Sequence, residues 1–590
     1  MNILGIHIGH NATAALILNN KLEAAISEEK FTNIKNYTGF PLNAVNYIMK
    51  EYNLTADNID FCALACYLNS TELPTQERME KMKKGGISPP LGDYYLGAAG
   101  IIGRYFGFTT PIFEGFYGFY QNDIKRGPNQ KAMINLLNKL FGFRESQIVF
   151  VHHHLAHTYA PIGFFNLHKQ KDPILIITQD GYGDLLAGMT GKYKNGKYNL
   201  LGTTSFVNST AWIYAAVTKY LGMKENEHEH KVMGLAAYPP KEYGMKIYEK
   251  KFKDLIEVKN AKINLKYKTF HTTAYLLAVL RDRLYRERFD NIAFGVQQLI
   301  EEKITEFVRQ NIEKYKIRNL AFGGGLFMNV KLNKRIQEMP EVERCYFMPS
   351  CGDEMNAIGA AFYVLEQHGE FGKSDETMYL GKEYTDEEIE QYFIENNLDK
   401  RYELTKVKNP EKEVAEMVNE GKIVGRFAGR GEVGARSLGN RAILADPSKL
   451  ESVEVINYAI KSRDFWMPFA CSVLDERFDD YAIHNGKSLP YYMITAYDTT
   501  EKGKKELKAA IHRKDYTMRP NVVKKEHNDE YHKIIREYEK LSGIGGILNT
   551  SLNIHGYPLV GFIKELFFTM DNSYLNITQC GRYIIIKKTK

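Results

Sequence analysis

The chain opens with short apolar blocks separated by polar turns. Ile3 to Ile8 reads as a strand, Gly9-His10-Asn11 as a turn, and Ala14 to Leu18 and Leu22 to Ser27 as a hairpin joined at Asn19-Asn20. The pattern recurs about 170 residues later. There Ile174 to Thr178 is an apolar strand, Asp180-Gly181-Tyr182-Gly183-Asp184 a second polar turn, and Leu185 to Tyr193 a strand closed by Lys194-Asn195-Gly196-Lys197. Asn-Gly marks a tight hairpin because both central residues of a type I′ turn need positive φ. Two such units predict a duplicated α/β fold.

A third element supports the duplication. Asn319 to Phe322 reads as a short strand, followed by Gly323-Gly324-Gly325 and a helix opening near Met328. Glycines there let backbone N–H groups and a helix N-terminus approach a phosphate chain, and a plain strand–helix turn is the alternative. Polar glycine turns opening each half are how actin-like nucleotide-binding folds begin. Between the two units, about residues 69–145, lies an aromatic-rich stretch (Tyr94, Tyr95, Tyr105, Phe106, Phe113, Phe116 and others), expected to be a helical insertion. A polar run after Val364 places a domain boundary near residue 370.

With 590 residues, the chain is too long for one core. Its 44% hydrophobic and 25% charged residues are ordinary globular usage, which excludes disorder and fibrous repeats. The net charge of +7 is too small on this length to imply nucleic-acid or membrane binding. The six cysteines form no C-x-x-C pair, so reduced thiols fit, and neither a leader nor an apolar span is visible. The expectation is a cytoplasmic protein, with a homodimer left open.

Three constellations carry candidate chemistry. His152, His153, His154 and His157 crowd the start of an expected helix, with His153 and His157 one turn apart and able to reach one ion. Asp353 in a glycine turn offers a carboxylate, and two His with one carboxylate suit iron(II), manganese or zinc; histidines without a metal are the alternative. The second constellation, Gly429 to Arg441, sets Arg430, Arg436 and Arg441 among glycines, a pattern for binding phosphate oxygens bidentately or else a solvated basic loop. The third comprises Lys461 and Arg463, two cations at strand spacing, with Ser551 and Asn553 closing a strand and His512, Asp515, Thr517 and Arg519 forming a further polar patch.

Taken together, these segments resemble the O-carbamoyltransferases of antibiotic and nodulation-factor biosynthesis. That family joins a domain similar to the universal tRNA threonylcarbamoyl-transfer protein to a YrdC-like domain. The resemblance is ordered along the chain: Gly9 to Ala15, Glu28-Glu29-Lys30, His153 to His157, Asp180 to Asp184, Lys231 to Ala236, Gly323 to Asn333, Gly352-Asp353, Gly429 to Arg441, Lys461 to Arg463, Met467 to Ala470 and Asn549 to Asn553. It implies an actin-like (ASKHA) domain over 1–370 and a YrdC-like domain over 371–590.

Several roles follow from the resemblance. His153, His157 and Asp353 are implied as ligands of a divalent metal, iron(II) first. Asp180, Gly181, Gly183, Gly323, Gly324, Asn329 and Asn333 are implied at the nucleotide, and His10 as the group activating the acceptor. Lys461, Arg463, His512, Arg519, Ser551 and Asn553, with Arg430, Arg436 and Arg441, are implied around carbamoyl phosphate and its adenylate. The implied reaction makes carbamoyl-adenylate from carbamoyl phosphate and ATP, with Mg2+, and transfers the carbamoyl group to a hydroxyl of a small acceptor. Carbamoyl transfer to a protein thiol or a tRNA-linked acceptor, and a low-turnover nucleotide-binding regulator, are the alternatives. Three positions depart from the family pattern: Asn11 stands where Asp is usual, Ala435 where Pro is usual and Pro520 where Gln is common.

Overall fold

The computed structural model describes residues 1–66, 126–268, 273–461 and 463–588. Most of the expected insertion, including every aromatic residue named above, lies outside them; its described part is the helix Arg126–Phe141. By contacts the chain divides into two units. The first is Met1–Glu28 with Asn36–Glu376, and the second is Glu29–Lys35 with Thr377–Lys590.

The first unit contains two five-stranded sheets of one topology. In the first sheet, Lys21–Ser27, Thr13–Leu18 and Ile3–His7 run antiparallel, and Phe61–Ala65 and Ile148–Val151 continue parallel to Ile3–His7. In the second, Lys197–Ser205, Leu186–Lys194 and Ile174–Gly183 repeat the antiparallel part, and Asn319–Gly323 and Arg344–Phe347 the parallel part. The duplication read from the sequence is therefore present. The hairpin at Asn195-Gly196 has φ of 52° and 70°, as a type I′ turn requires.

Helix Asn356–Gln367 explains its own run of small residues. A Cβ at Gly359 would stand 1.8 Å from the Ala156 carbonyl oxygen, so only glycine lets this helix cross His153–Phe164 at that distance. On its other side, Ala357 backs onto Gly5 of the strand Ile3–His7.

The second polar turn is shorter than the sequence implied. The strand continues to Gly183, and the turn proper is Asp184-Leu185, at φ of 49° and 69°. The ladder loses register between Gln179 and Gly183, which frees Asp180 to Tyr182 from pairing.

The second unit is built on an eight-stranded mixed sheet in the order Tyr402–Lys406, Tyr583–Lys587, Ile577–Cys580, Val424–Phe427, Arg441–Ala445, Gly546–Ser551, Ala470–Leu474 and Pro520–Val523. On one face pack helices Pro410–Asn419 and Asp529–Ser542, the latter through Tyr531, Ile534, Ile535 and Tyr538 at helical spacing. Leu566, Phe567 and Met570 of helix Ile563–Asp571 belong to the core on the other face. Among the described residues no helix is long and apolar enough to cross a membrane. The six cysteines are buried and unbridged.

Candidate metal centre and anion site

In the first unit, the helix His153–Phe164 begins two residues after the strand Ile148–Val151. Its four histidines divide their roles. His152 is the N-cap, its Nδ1 accepting from the His154 N–H at 3.1 Å. His154 is fully buried between the Thr178 hydroxyl (3.0 Å) and the Leu186 carbonyl (3.2 Å). His153 and His157 turn their Nε2 atoms to within 3.1 Å of each other.

Two carboxylates meet them. Asp180 Oδ2 lies 2.9 Å from His157 Nε2 and 3.5 Å from His153 Nε2, and Asp353 Oδ1 lies at 3.2 and 3.5 Å. One ligand atom from each of the four residues falls within 4.8 Å of all the others. Beside them the buried Asn356 brings its Nδ2 to 3.3 Å from His157 Nε2. Two imidazoles and two carboxylates fit a divalent ion. Burial works against charge here, yet the paired hydrogen bonds to Asp180 and Asp353 push the His157 imidazole up to about 9. Burial likewise opposes the Asp180 carboxylate, but His153 and His157 hold it well below its usual range.

The break in the ladder turns Asp180, which the resemblance implies at the nucleotide, into this cluster. The remaining glycine and asparagine positions brace the same region. A Cβ on Gly183 would stand 2.0 Å from the His153 ring, and one on Gly323 would stand 2.5 Å from the His157 carbonyl. Gly324, at φ 93°, follows at the end of the neighbouring parallel strand, and the Gly181 N–H donates to Asp180 Oδ1 at 2.6 Å. Asn329 caps helix Val330–Gln337, accepting from Leu332 N–H at 3.1 Å, and exchanges two 3.0 Å bonds with Gln297. Asn333 is fully buried and donates to the Phe327 carbonyl, so its amide holds the loop.

His10 sits half-buried on a two-residue strand paired with Thr38–Gly39. Its neighbour Asn11, at φ 59°, donates to Glu354 Oε2 at 3.3 Å. An aspartate at position 11 would face that carboxylate with like charge.

In the second unit the arginine loop separates into two kinds of residue. Arg441 was expected on the anion. It is instead fully buried, its guanidinium spent on the carbonyls of Ala428, Gly429, Asn440 and Lys382 and stacked 3.9 Å over Phe427. Arg430 donates to the carbonyls of Leu380 and Gly381.

Arg436 is half-buried and close enough to Arg463 and Arg519 that, after burial, its charge is the largest influence lowering both. Arg463 comes down to about 10. Arg519 keeps its buried Nε without a hydrogen-bond partner among the described residues. Lys461, 4% exposed, donates to the Ser551 carbonyl, the Ser551 hydroxyl and Asn553 Oδ1. Burial, then Arg463 and Lys35, hold its ammonium well below the usual lysine range. His512 is buried and its Nδ1 accepts from the Lys514 N–H, while Thr517 donates to Asp515 in the turn preceding Arg519. Lys461, Arg463, Arg436 and Arg519 therefore form a cation cluster edged by Ser551 and Asn553, an arrangement suited to a multiply charged anion.

Residues 2–362 match the family described as carbamoyltransferase N-terminus, and residues 415–587 match carbamoyltransferase C-terminus. The chain belongs to the carbamoyltransferase family. This carbamoyltransferase is 28% identical to Uncharacterized protein MJ1051 of Methanocaldococcus jannaschii, over 99% of each chain. It is 25% identical to nodulation protein NolNO of Sinorhizobium fredii, over 98% of this chain and 79% of that one. Two solved structures are similar over 62% of the chain. They are component A of the (R)-2-hydroxyglutaryl-CoA dehydratase of Acidaminococcus fermentans (11% identity, 97% of that chain, TM-score 0.32) and T. kodakarensis HypF (12%, 48%, TM-score 0.33).

One residue of the carbamoyltransferase's first site escaped the sequence reading. His7 is fully buried, with Nε2 3.0 Å from the His10 carbonyl and 3.9 Å from Asp353 Oδ2, and burial brings its imidazole down to about 4. The available signal was a histidine between Ile6 and Ile8 in an otherwise apolar strand.

Proposed function

We propose that the second unit, YrdC-like in its chemistry, makes carbamoyl-adenylate from carbamoyl phosphate and Mg2+-bound ATP, and that the first unit passes the carbamoyl group to a hydroxyl of a small-molecule acceptor. The observation that carries this reading is the gathering of Lys461, Arg463, Arg436 and Arg519 beside Ser551 and Asn553. Assembling four cations against burial and mutual repulsion is costly, and a phosphate-bearing ligand offsets that cost.

The steps balance. Water releases phosphate from carbamoyl phosphate and leaves carbamate. A carbamate oxygen then bonds to the α-phosphorus of ATP as the bond to pyrophosphate breaks. The acceptor oxygen next bonds to the carbamoyl carbon, the bond to AMP breaks, and the hydroxyl proton goes to His10. Lys461 and the three arginines hold and neutralise phosphate oxygens, which orients carbamate for attack. His153, His157, Asp180 and Asp353 would hold a divalent ion, iron(II) by family resemblance, which supplies Lewis-acid stabilisation of phosphate charge when bound. Asn11 cannot act as a base, so the proton falls to His10.

The test is pyrophosphate release from ATP with and without carbamoyl phosphate. Dependence on carbamoyl phosphate is expected, and release that ignores it overturns the reading. Full release by Lys461→Ala would overturn the assignment of the site.

A further inference from the structure

The loop Gly429–Asn440 carries Arg436 beside two other guanidinium groups, those of Arg463 and Arg519, whose like charge opposes its approach. The structure holds the base of this loop with one buried carboxylate. Glu432, 4% exposed, brings Oε1 to the backbone N–H groups of Leu438 (2.9 Å), Asn440 (2.8 Å) and Arg441 (3.1 Å). Three donors on one oxygen tie residue 432 to residues 438–441 and close the segment between them into a ring.

Other side chains fasten the same base. The Tyr379 hydroxyl donates to the Leu438 carbonyl at 2.8 Å, and Asn521 Nδ2 donates to the same oxygen at 3.0 Å. Asn549 Nδ2 donates to the Ser437 carbonyl at 3.2 Å. Between these fixed points Ala435 is exposed and Arg436 half-buried, so the crown of the ring is the part left facing out.

We propose that Glu432 is a positioning residue for anion binding: its carboxylate fixes the ring that presents Arg436 to the phosphate-bearing substrate, in concert with Arg463 and Arg519. This rests on the function proposed above for the second unit. Glu432 Oε1 is engaged by three backbone N–H groups of the loop, so it acts through Arg436. Its charge also compensates the buried Arg441 of the same loop, whose guanidinium it supports. Glutamine keeps an acceptor oxygen for the three N–H groups and alanine keeps none, so the two substitutions separate hydrogen bonding from bulk removal.

The experiment measures binding of carbamoyl phosphate and of inorganic phosphate to the full chain by titration calorimetry. Arg436→Ala is expected to weaken both by about tenfold or more, the loss of one charge-assisted contact. Glu432→Ala is expected to weaken them comparably, and Glu432→Gln by a smaller factor. The double variant Glu432→Ala/Arg436→Ala is expected to bind within about threefold of Arg436→Ala alone, because residues that act through one another are not additive.

If Glu432→Ala does not fold, Glu432→Gln and Tyr379→Phe replace it, each expected to lose affinity less and, again, non-additively with Arg436→Ala. Losses that multiply in the double variants, or undiminished binding in every Glu432 and Tyr379 variant, overturn the proposal while leaving the anion site intact. A wild-type chain that binds neither anion overturns the function of the second unit and this inference with it.

Discussion

The two ionisable clusters of this carbamoyltransferase are built on opposite principles. In the first unit, imidazoles and carboxylates neutralise one another: Asp180 is held low and His157 is raised to about 9 by the same hydrogen bonds. In the second, Lys461, Arg463 and Arg519 are each pushed below their usual ranges by burial first and by neighbouring cations next. The first cluster is satisfied within the protein, and a metal would exchange with protons at it. In the second, like charges dominate despite Asp464 beside Arg463, and an anion from outside would offset their repulsion. A residue removed from the first takes away a ligand, whereas a residue removed from the second also relieves repulsion.

The largest effects test whether the two clusters do separate jobs. His157→Ala is expected to abolish stoichiometric metal, read by plasma emission spectrometry, and to cut carbamoyl transfer at least about 100-fold. It should leave carbamoyl-phosphate-dependent pyrophosphate release within about twofold of wild type. Lys461→Ala should give the mirror image, with full metal content and no pyrophosphate release. A variant that loses both readouts while folded would collapse the division of labour.

Within the second cluster, Arg519→Ala sharpens the contrast. Its buried Nε has no hydrogen-bond partner among the described residues, so that donor is open to an outside acceptor. The KM for carbamoyl phosphate should rise about 10- to 100-fold, the value of a charge-assisted hydrogen bond, with kcat changed less. An unchanged KM would remove Arg519 from the anion.

How far the sequence could be read depends on whether the cause was local. Asn195-Gly196 gave its hairpin because positive φ is a property of those residue types, and His153 and His157 gave their shared face because one helical turn fixes it. That Asp180 joins the histidines was not legible, because a break in strand register, which decides where that side chain points, leaves no mark in the sequence of one strand. Arg436 and Arg441 look alike in the sequence. Only the fold shows that Arg441 is enclosed by four carbonyls while Arg436 reaches the cluster.

The same segment supplies a finer test of the first cluster. A Cβ on Gly183 would press to 2.0 Å from the His153 ring, whereas one on Gly181 would rest 3.6 Å from Trp212, an ordinary contact. Gly183→Ala should therefore turn His153 away and lower metal affinity about tenfold, the usual scale for disturbing a ligand's support. Gly181→Ala should bind metal as wild type does. Equal behaviour of the two would show that the His153 ring has room the geometry denies it.

The smallest expected effect is on stability, and its sign is what distinguishes the clusters. Because Lys461 holds its proton less tightly in the folded chain than in the unfolded one, the unfolded chain binds more protons between the lowered pKa and about 10.5. Stability without ligand should rise with pH through that window, as the penalty for a buried charge is relieved. Lys461→Met removes the charge at every pH while keeping the apolar stem. It should raise the ligand-free unfolding transition of the second unit by roughly 2 °C at neutral pH and flatten its pH dependence. Phosphate should stabilise the wild type and do little for the variant. A Lys461→Met chain less stable than wild type would mean that the bonds to Ser551 and Asn553 outweigh the repulsion from Arg463 and Lys35, and that the cluster is held together without an anion.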